Sequence, residues 1–83
     1  MNMPPFPQIS SPSVAIFHIE AYTCKILTLD GEYYVGYGNI YLVFSSLQAA
    51  QQYSEKKVKS DKNIECVLFD HTGKDILVVR NAD

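Results

Sequence analysis

The sequence predicts a single small α+β domain: an antiparallel sheet of about four strands in ββ-α-ββ order, with one helix packed on one face. Three observations predict it. The length, 83 residues, suffices for one core and no more. Hydrophobic residues make up 47% of the chain, too many for a disordered polypeptide. Apolar, β-branched runs punctuated by turn residues flank one stretch of helical periodicity.

Residues 1–13 form an arm ahead of the domain, which occupies residues 14–83. The arm holds all four prolines, Pro4, Pro5, Pro7 and Pro12, with Ser10, Ser11 and Ser13. Proline fixes φ and lacks a backbone donor, so this stretch is expected to be extended or disordered. Phe6 and Ile9 are placed to pin it against the domain.

From Val14 the chain reads as strand. Residues 14–19 are apolar and β-branched, and residues 22–29 are rich in the same types. The alternation is imperfect: Tyr22, Cys24 and Ile26 share one phase, Leu27 and Leu29 the other. That pattern implies a bulge, a bend, or burial on both faces. Asp30 and Gly31 then supply a hairpin turn of type I′, which needs positive φ at both central residues. The second strand starts at Glu32 and runs through Tyr33, Tyr34, Val35 and Tyr37. Gly36, Gly38 and Asn39 break or bulge it before residues 40–44 resume, and one bent strand or two short ones fit equally.

The helix has the clearest signals. Ser45 is expected to cap it, Gln48 to complete a capping box three residues later, and Phe44 to staple against Ala49. Leu47, Ala50, Ser54 and Val58 form a stripe at helical spacing, with Tyr53 at its margin. Lys56, Lys57 and Lys59 suit a helix C-terminus, and the helix is expected to start at Ser45 or Ser46 and end between Val58 and Asp61. Two strands follow, residues 64–69 and 75–80. The turn between them, residues 70–74, has Gly73 as its left-handed residue. Residues 44–78 resemble many small bacterial domains in a generic way, and that resemblance implies no site.

The net charge of −2 argues against a nucleic-acid partner, because phosphate binding needs a basic face. The charges are also unevenly spread. Residues 1–54 carry only Glu20, Lys25, Asp30 and Glu32, while residues 55–83 carry the other twelve. A half with so few charges is expected to have some of its surface covered. The start of the chain lacks the basic and apolar regions of a signal peptide. Residues 33–54 form an uncharged run of 22, but it holds Asn39, Gln48, Gln51 and Gln52 and splits into strand and helix patterns rather than a membrane span. A cytoplasmic protein is expected, with Cys24 and Cys66 as reduced, partly buried thiols that lack metal-ligand spacing.

No constellation of catalytic residues emerges. His18 in its apolar strand reads as a hydrogen-bonded core or edge histidine, and His71 as a solvated turn residue. Neither cysteine has a helix N-terminus or Gly-rich loop beside it to build an oxyanion site. Asp30, Glu32, Asp70 and Asp75 flank turn glycines without the spacing of a calcium loop. The Gly36, Tyr37, Gly38 run lacks the helix a phosphate cradle needs. The lysines of residues 55–62 read as a solvated helix end. No catalytic residue, metal ligand or cofactor is therefore assigned.

The tyrosines are the candidate binding residues: Tyr33, Tyr34, Tyr37 and Tyr41. Tyrosine offers large contact area at low entropy cost and a polar tip, which interfaces favour. The competing role is packing over the sheet and shielding Gly36 and Gly38. In an unbroken strand Tyr33, Tyr37 and Tyr41 project together and Tyr34 points oppositely. Both phases of the strands carry apolar residues, including Leu27, Leu29, Val67, Phe69, Leu77 and Val79. One helix covers one face, so a second copy of the chain is the simplest cover for the other. The expected function is a non-enzymatic protein-binding module, such as an inhibitor, an immunity-type protein or an accessory subunit. It would bind another protein or itself, not nucleic acid or membrane. The alternative is a small-ligand or effector-binding domain, with a pocket between helix and sheet or at a dimer seam.

Overall fold

Hydrophobic alternation in the strands decides the layering, and a computed structural model describes it for residues 5–81. Five strands and one helix form: β1 (Val14–Glu20), β2 (Ile26–Leu27), β3 (Leu42–Phe44), α1 (Leu47–Ser60), β4 (Ile64–Phe69) and β5 (Asp75–Val79). The α+β class is as expected, and the order is βββ-α-ββ rather than ββ-α-ββ. Every pairing is antiparallel. β1 is central: β4 and then β5 lie on one side, while β2 and β3 share its other edge end to end.

In β4, Ile64, Cys66 and Leu68 are buried and the residues between them are not, the period of a strand with one helix-covered face. They pack with Val14 and Ile16 of β1 against Ala50 and Val58 of α1. Cross-strand partners share a face, so Phe17 opposite Val67 belongs to the other side of the sheet.

The helix spans the expected residues, with its cap one position later. Ser46, not Ser45, takes the extended cap conformation, and its Oγ accepts a hydrogen bond from the Ala49 N–H at 3.1 Å. Gln48 is then the second helical residue, so the capping box does not form. Phe44 packs its ring on Tyr53, centroids 5.1 Å apart. Ala50, Ser54 and Val58 are buried as their spacing predicts, but Leu47 is exposed. At the other end the Asp61 N–H donates to the Lys57 carbonyl.

The largest departures lie in residues 21–41. The chain turns back after Glu20: the Cys24 N–H donates to the Glu20 carbonyl at 2.8 Å and the Glu20 N–H to the Lys25 carbonyl at 2.9 Å. Cys24 adopts a left-handed φ of 58°, unusual for a residue with a β-carbon, and is exposed rather than partly buried. A hairpin does turn at Asp30 and Gly31, but it is not type I′. The Thr28 N–H donates to the Glu32 carbonyl at 2.7 Å, and Gly31 has positive φ while Asp30 does not. That is a three-residue loop closed by one left-handed glycine. The 70–74 turn repeats this hydrogen-bond pattern, with Gly73 in the left-handed role as expected.

Beyond Tyr33 no strand continues; only an isolated bridge joins Leu27 to Tyr33. Positive φ at Gly36 and Gly38 lets the chain leave the sheet edge and return across the second face. There Tyr34 and Ile40 are buried with Phe17. Tyr41 stacks on Phe17 at 6.0 Å, and Phe6 of the arm meets Tyr41 and Phe69 edge-on at 5.4 and 5.9 Å. The chain's own loop and arm thus cover much of the face for which a second copy was the expected cover. Among the described residues no helix is long and apolar enough to cross a membrane.

Candidate functional site: a cleft between helix and hairpin

The helix covers the sheet incompletely, and a cleft of about 650 Å³ opens between α1, the end of β1 and the hairpin of residues 27–33. Two periodicities aim side chains into it. His18 and Glu20 of β1 alternate with Phe17 and Ile19, so they share the helix-covered face. Tyr53 and Lys57 stand one turn apart on α1 and line the same cleft.

His18 is 5% exposed, and its Nε2 shares a 2.8 Å hydrogen bond with the Tyr53 hydroxyl. Burial, and then the charge of Lys57, holds the His18 pKa below its ordinary value. Burial, followed by the neighbouring Cys66, raises that of the Tyr53 hydroxyl. The pair is therefore neutral near pH 7, a polar contact that orients rather than charges the cleft. Cys66 lies opposite His18 across β4 and is a buried free thiol. Burial pushes its pKa up, against a smaller opposite pull from the Ser54 hydroxyl.

The outer rim is acidic. Glu20 accepts hydrogen bonds from Thr23 Oγ1 at 2.7 Å and from the Tyr33 hydroxyl at 2.8 Å. Those two bonds, Thr23 first, lower its pKa and keep it ionised. The same contact with Glu20 raises the pKa of Tyr33. The Lys25 ammonium sits 4.9 Å above the Tyr33 ring centre. Asp61 Oδ1 accepts from the Asn63 N–H at 3.0 Å, and Asp30 and Glu32 complete the acidic lining.

The four tyrosines singled out in the sequence divide. Tyr34 is 4% exposed and Tyr41 is partly buried, both in the second-face core. Tyr33 and Tyr37 are 48% and 77% exposed, with Val35 between them at 62%. Tyr41 therefore sorts with Tyr34 rather than with Tyr33 and Tyr37, because no continuous strand imposes the alternation. Of the four, Tyr33 alone lines the cleft. Sequence reasoning missed Tyr53, Lys57 and Asp61 as cleft residues. The available signal was Tyr53 at the edge of the apolar stripe, one turn before Lys57.

Chemically, the His18 Nε2 is occupied by Tyr53, and the Cys66 thiol is buried and held protonated. His71 is exposed in its turn. Among the described residues no group of three or more His, Cys, Asp or Glu side chains is placed to hold a metal ion. No protein-family model matches this chain, and neither curated proteins nor solved structures give a match.

Proposed function

We propose that this chain is a cytoplasmic, non-enzymatic binding module that engages another protein through Tyr33, Val35 and Tyr37, and that it also associates with a second copy of itself. Its role would be that of an inhibitor, an immunity-type protein or an accessory subunit. The observation that supports this is the split of one loop into buried and exposed residues. Tyr34 and Ile40 are buried, while Tyr33, Val35 and Tyr37 stand out of the same segment. Aromatic side chains on an anchored loop lose little entropy on binding. Neither nucleic acid nor membrane is proposed as a partner, given the net charge of −2.

The test is affinity purification of a tagged chain from its native host, followed by binding measurements on the purified partner. Tyr37→Ala is expected to lower affinity by about 2 kcal/mol, the scale of a hot spot, without shifting the melting temperature. A partner that binds Tyr33→Ala and Tyr37→Ala chains as well as the parent would end this reading. A second reading, a small-ligand domain, is supported by the cleft lined by His18, Tyr33 and Tyr53. Its size falls in the range of ligand sites.

A further inference from the structure

We infer that the cleft between α1 and the 27–33 hairpin binds an organic cation, an ammonium or guanidinium carried on an apolar stem. The inference rests on the small-ligand reading of the cleft and gives its ligand a chemistry.

Charge selects the sign. Glu20, Asp30, Glu32 and Asp61 line the cleft against one lysine, Lys57. Lys57 and Asp61 both lie at the C-terminal end of α1 and cancel in the charge count, which leaves three carboxylates on the strand and hairpin side. Lys25 lies over the Tyr33 ring and its charge acts on Glu20, so among the described residues Asp30 and Glu32 are the carboxylates left without a nearby cation. His18 adds no positive charge, because burial and then the charge of Lys57 hold its pKa below the ordinary value. Two of the three carboxylates are available: Asp30 and Glu32 make no side-chain hydrogen bond or ion pair among the described residues, whereas Glu20 is held by Thr23 and Tyr33. An anion entering here meets repulsion, and a cation replaces its lost water with carboxylate oxygens.

The walls select the stem. Leu27, Leu42 and Ile64 supply apolar surface, and the aromatic side chains Tyr33 and Tyr53 line the same walls. A ring face attracts a cation within about 6 Å of its centre. This rim already shows the chemistry: the chain's own Lys25 ammonium sits 4.9 Å over the Tyr33 ring, and its charge acts on Glu20. A lysine-like or arginine-like group on a chain of several carbons matches the lining and fits within the volume.

The cation has two sources, a free amine or a basic side chain on a protein partner, and one titration separates them. The full-length, isotope-labelled chain is titrated with pentylamine, butylguanidine, hexanoate, pentanol and the peptide acetyl-Gly-Lys-Gly-amide, while backbone amide shifts are followed. Saturable shifts at Thr28, Gly31, Glu32 and Asn63 are expected with both small cations. Hexanoate should bind at least about tenfold more weakly, a difference of about 1.4 kcal/mol. The double variant Asp30→Asn, Glu32→Gln, at exposed positions, should keep the parent spectrum and weaken pentylamine severalfold. Peptide binding about tenfold tighter than pentylamine would assign a partner's lysine; equal or weaker peptide binding would assign a free amine. Hexanoate or pentanol binding as tightly as pentylamine would overturn the cation and keep the ligand cleft. No shift at any cleft residue with any probe would overturn both.

Discussion

Two neighbouring serines show how far single residues are legible in the sequence. Both Ser45 and Ser46 can cap a helix, and what decides between them is which backbone is extended where Leu47 begins to coil. Ser46 holds that conformation, and its hydroxyl reaches the Ala49 N–H. Ser46→Ala should therefore cost about 1 kcal/mol in chemical denaturation, and Ser45→Ala a few tenths at most. Equal losses would mean that both hydroxyls share the cap. His18 was legible as a hydrogen-bonded residue, but its partner was not, because Tyr53 lies 35 positions away. Its titration has a definite sign. Burial and Lys57 hold the folded pKa below the ordinary 6.5, so the unfolded chain binds the proton more readily. The contribution is complete above about pH 6.5, is lost as pH falls through the folded pKa, and is flat below it. Denaturation midpoints between about pH 7.5 and pH 5 should fall in the parent, and fall less in His18→Gln. A parent slope unchanged by His18→Gln would show that another group titrates. Glu20 and Asp70 are also shifted down, by hydrogen bonds first from Thr23 and Thr72 respectively, and their effects belong to more acid pH.

At the scale of elements, α1 and the β4–β5 hairpin were readable because their determinants are local. Ala50, Ser54 and Val58 recur at helical spacing, Ile64, Cys66 and Leu68 alternate, and Gly73 marks the turn. Residues 21–41 were not, because distant contacts outweigh local preference there. Tyr33, Tyr34 and Val35 have high strand propensity, yet Tyr34 instead meets Phe17 on the second face of the sheet. The reversal at Cys24 has no glycine to announce it. Two consequences can be measured. Truncating an anchor differs from truncating an exposed neighbour: Tyr34→Ala should cost about 3 kcal/mol or more, and Tyr37→Ala no more than about 0.5. Similar small losses at both positions would mean that the loop does not pack on the face. Gly38 has φ of 102°, and an added β-carbon there would lie 3.3 Å from Thr28 Cγ2. Gly38→Ala should lower the melting temperature through backbone strain worth about 1 kcal/mol or more. An unchanged melting temperature would show that the loop can adopt another path.

For the whole molecule, the shortage of charge in residues 1–54 has a source inside the chain itself. Residues 14–18 are buried in succession because β1 has α1 on one face and the 34–41 loop on the other. The arm adds Phe6 to that second layer. The argument for a second copy therefore moves from the face of the sheet to its edge. β5 pairs with β4 on one side only, and Ile76 and Val78 are 42% and 36% exposed. Natural sheets blunt such edges with free charges, prolines or a covering segment. Here Asp75 stands at one end, and Arg80 just past the other is drawn 3.3 Å from Glu65. Antiparallel pairing of β5 with β5 of a second copy would satisfy the edge by a two-fold operation and join two sheets. Sedimentation at micromolar concentration is then expected to give about twice 9.4 kDa. Val78→Lys, at an exposed position, should return the chain to a monomer with its melting curve still cooperative, while Tyr37→Ala should leave the dimer intact. A 9.4 kDa species at every concentration would remove the second copy and leave Tyr33, Val35 and Tyr37 for a different protein. Dissociation by Tyr37→Ala, but not by Val78→Lys, would place self-association on the tyrosine loop instead of the edge.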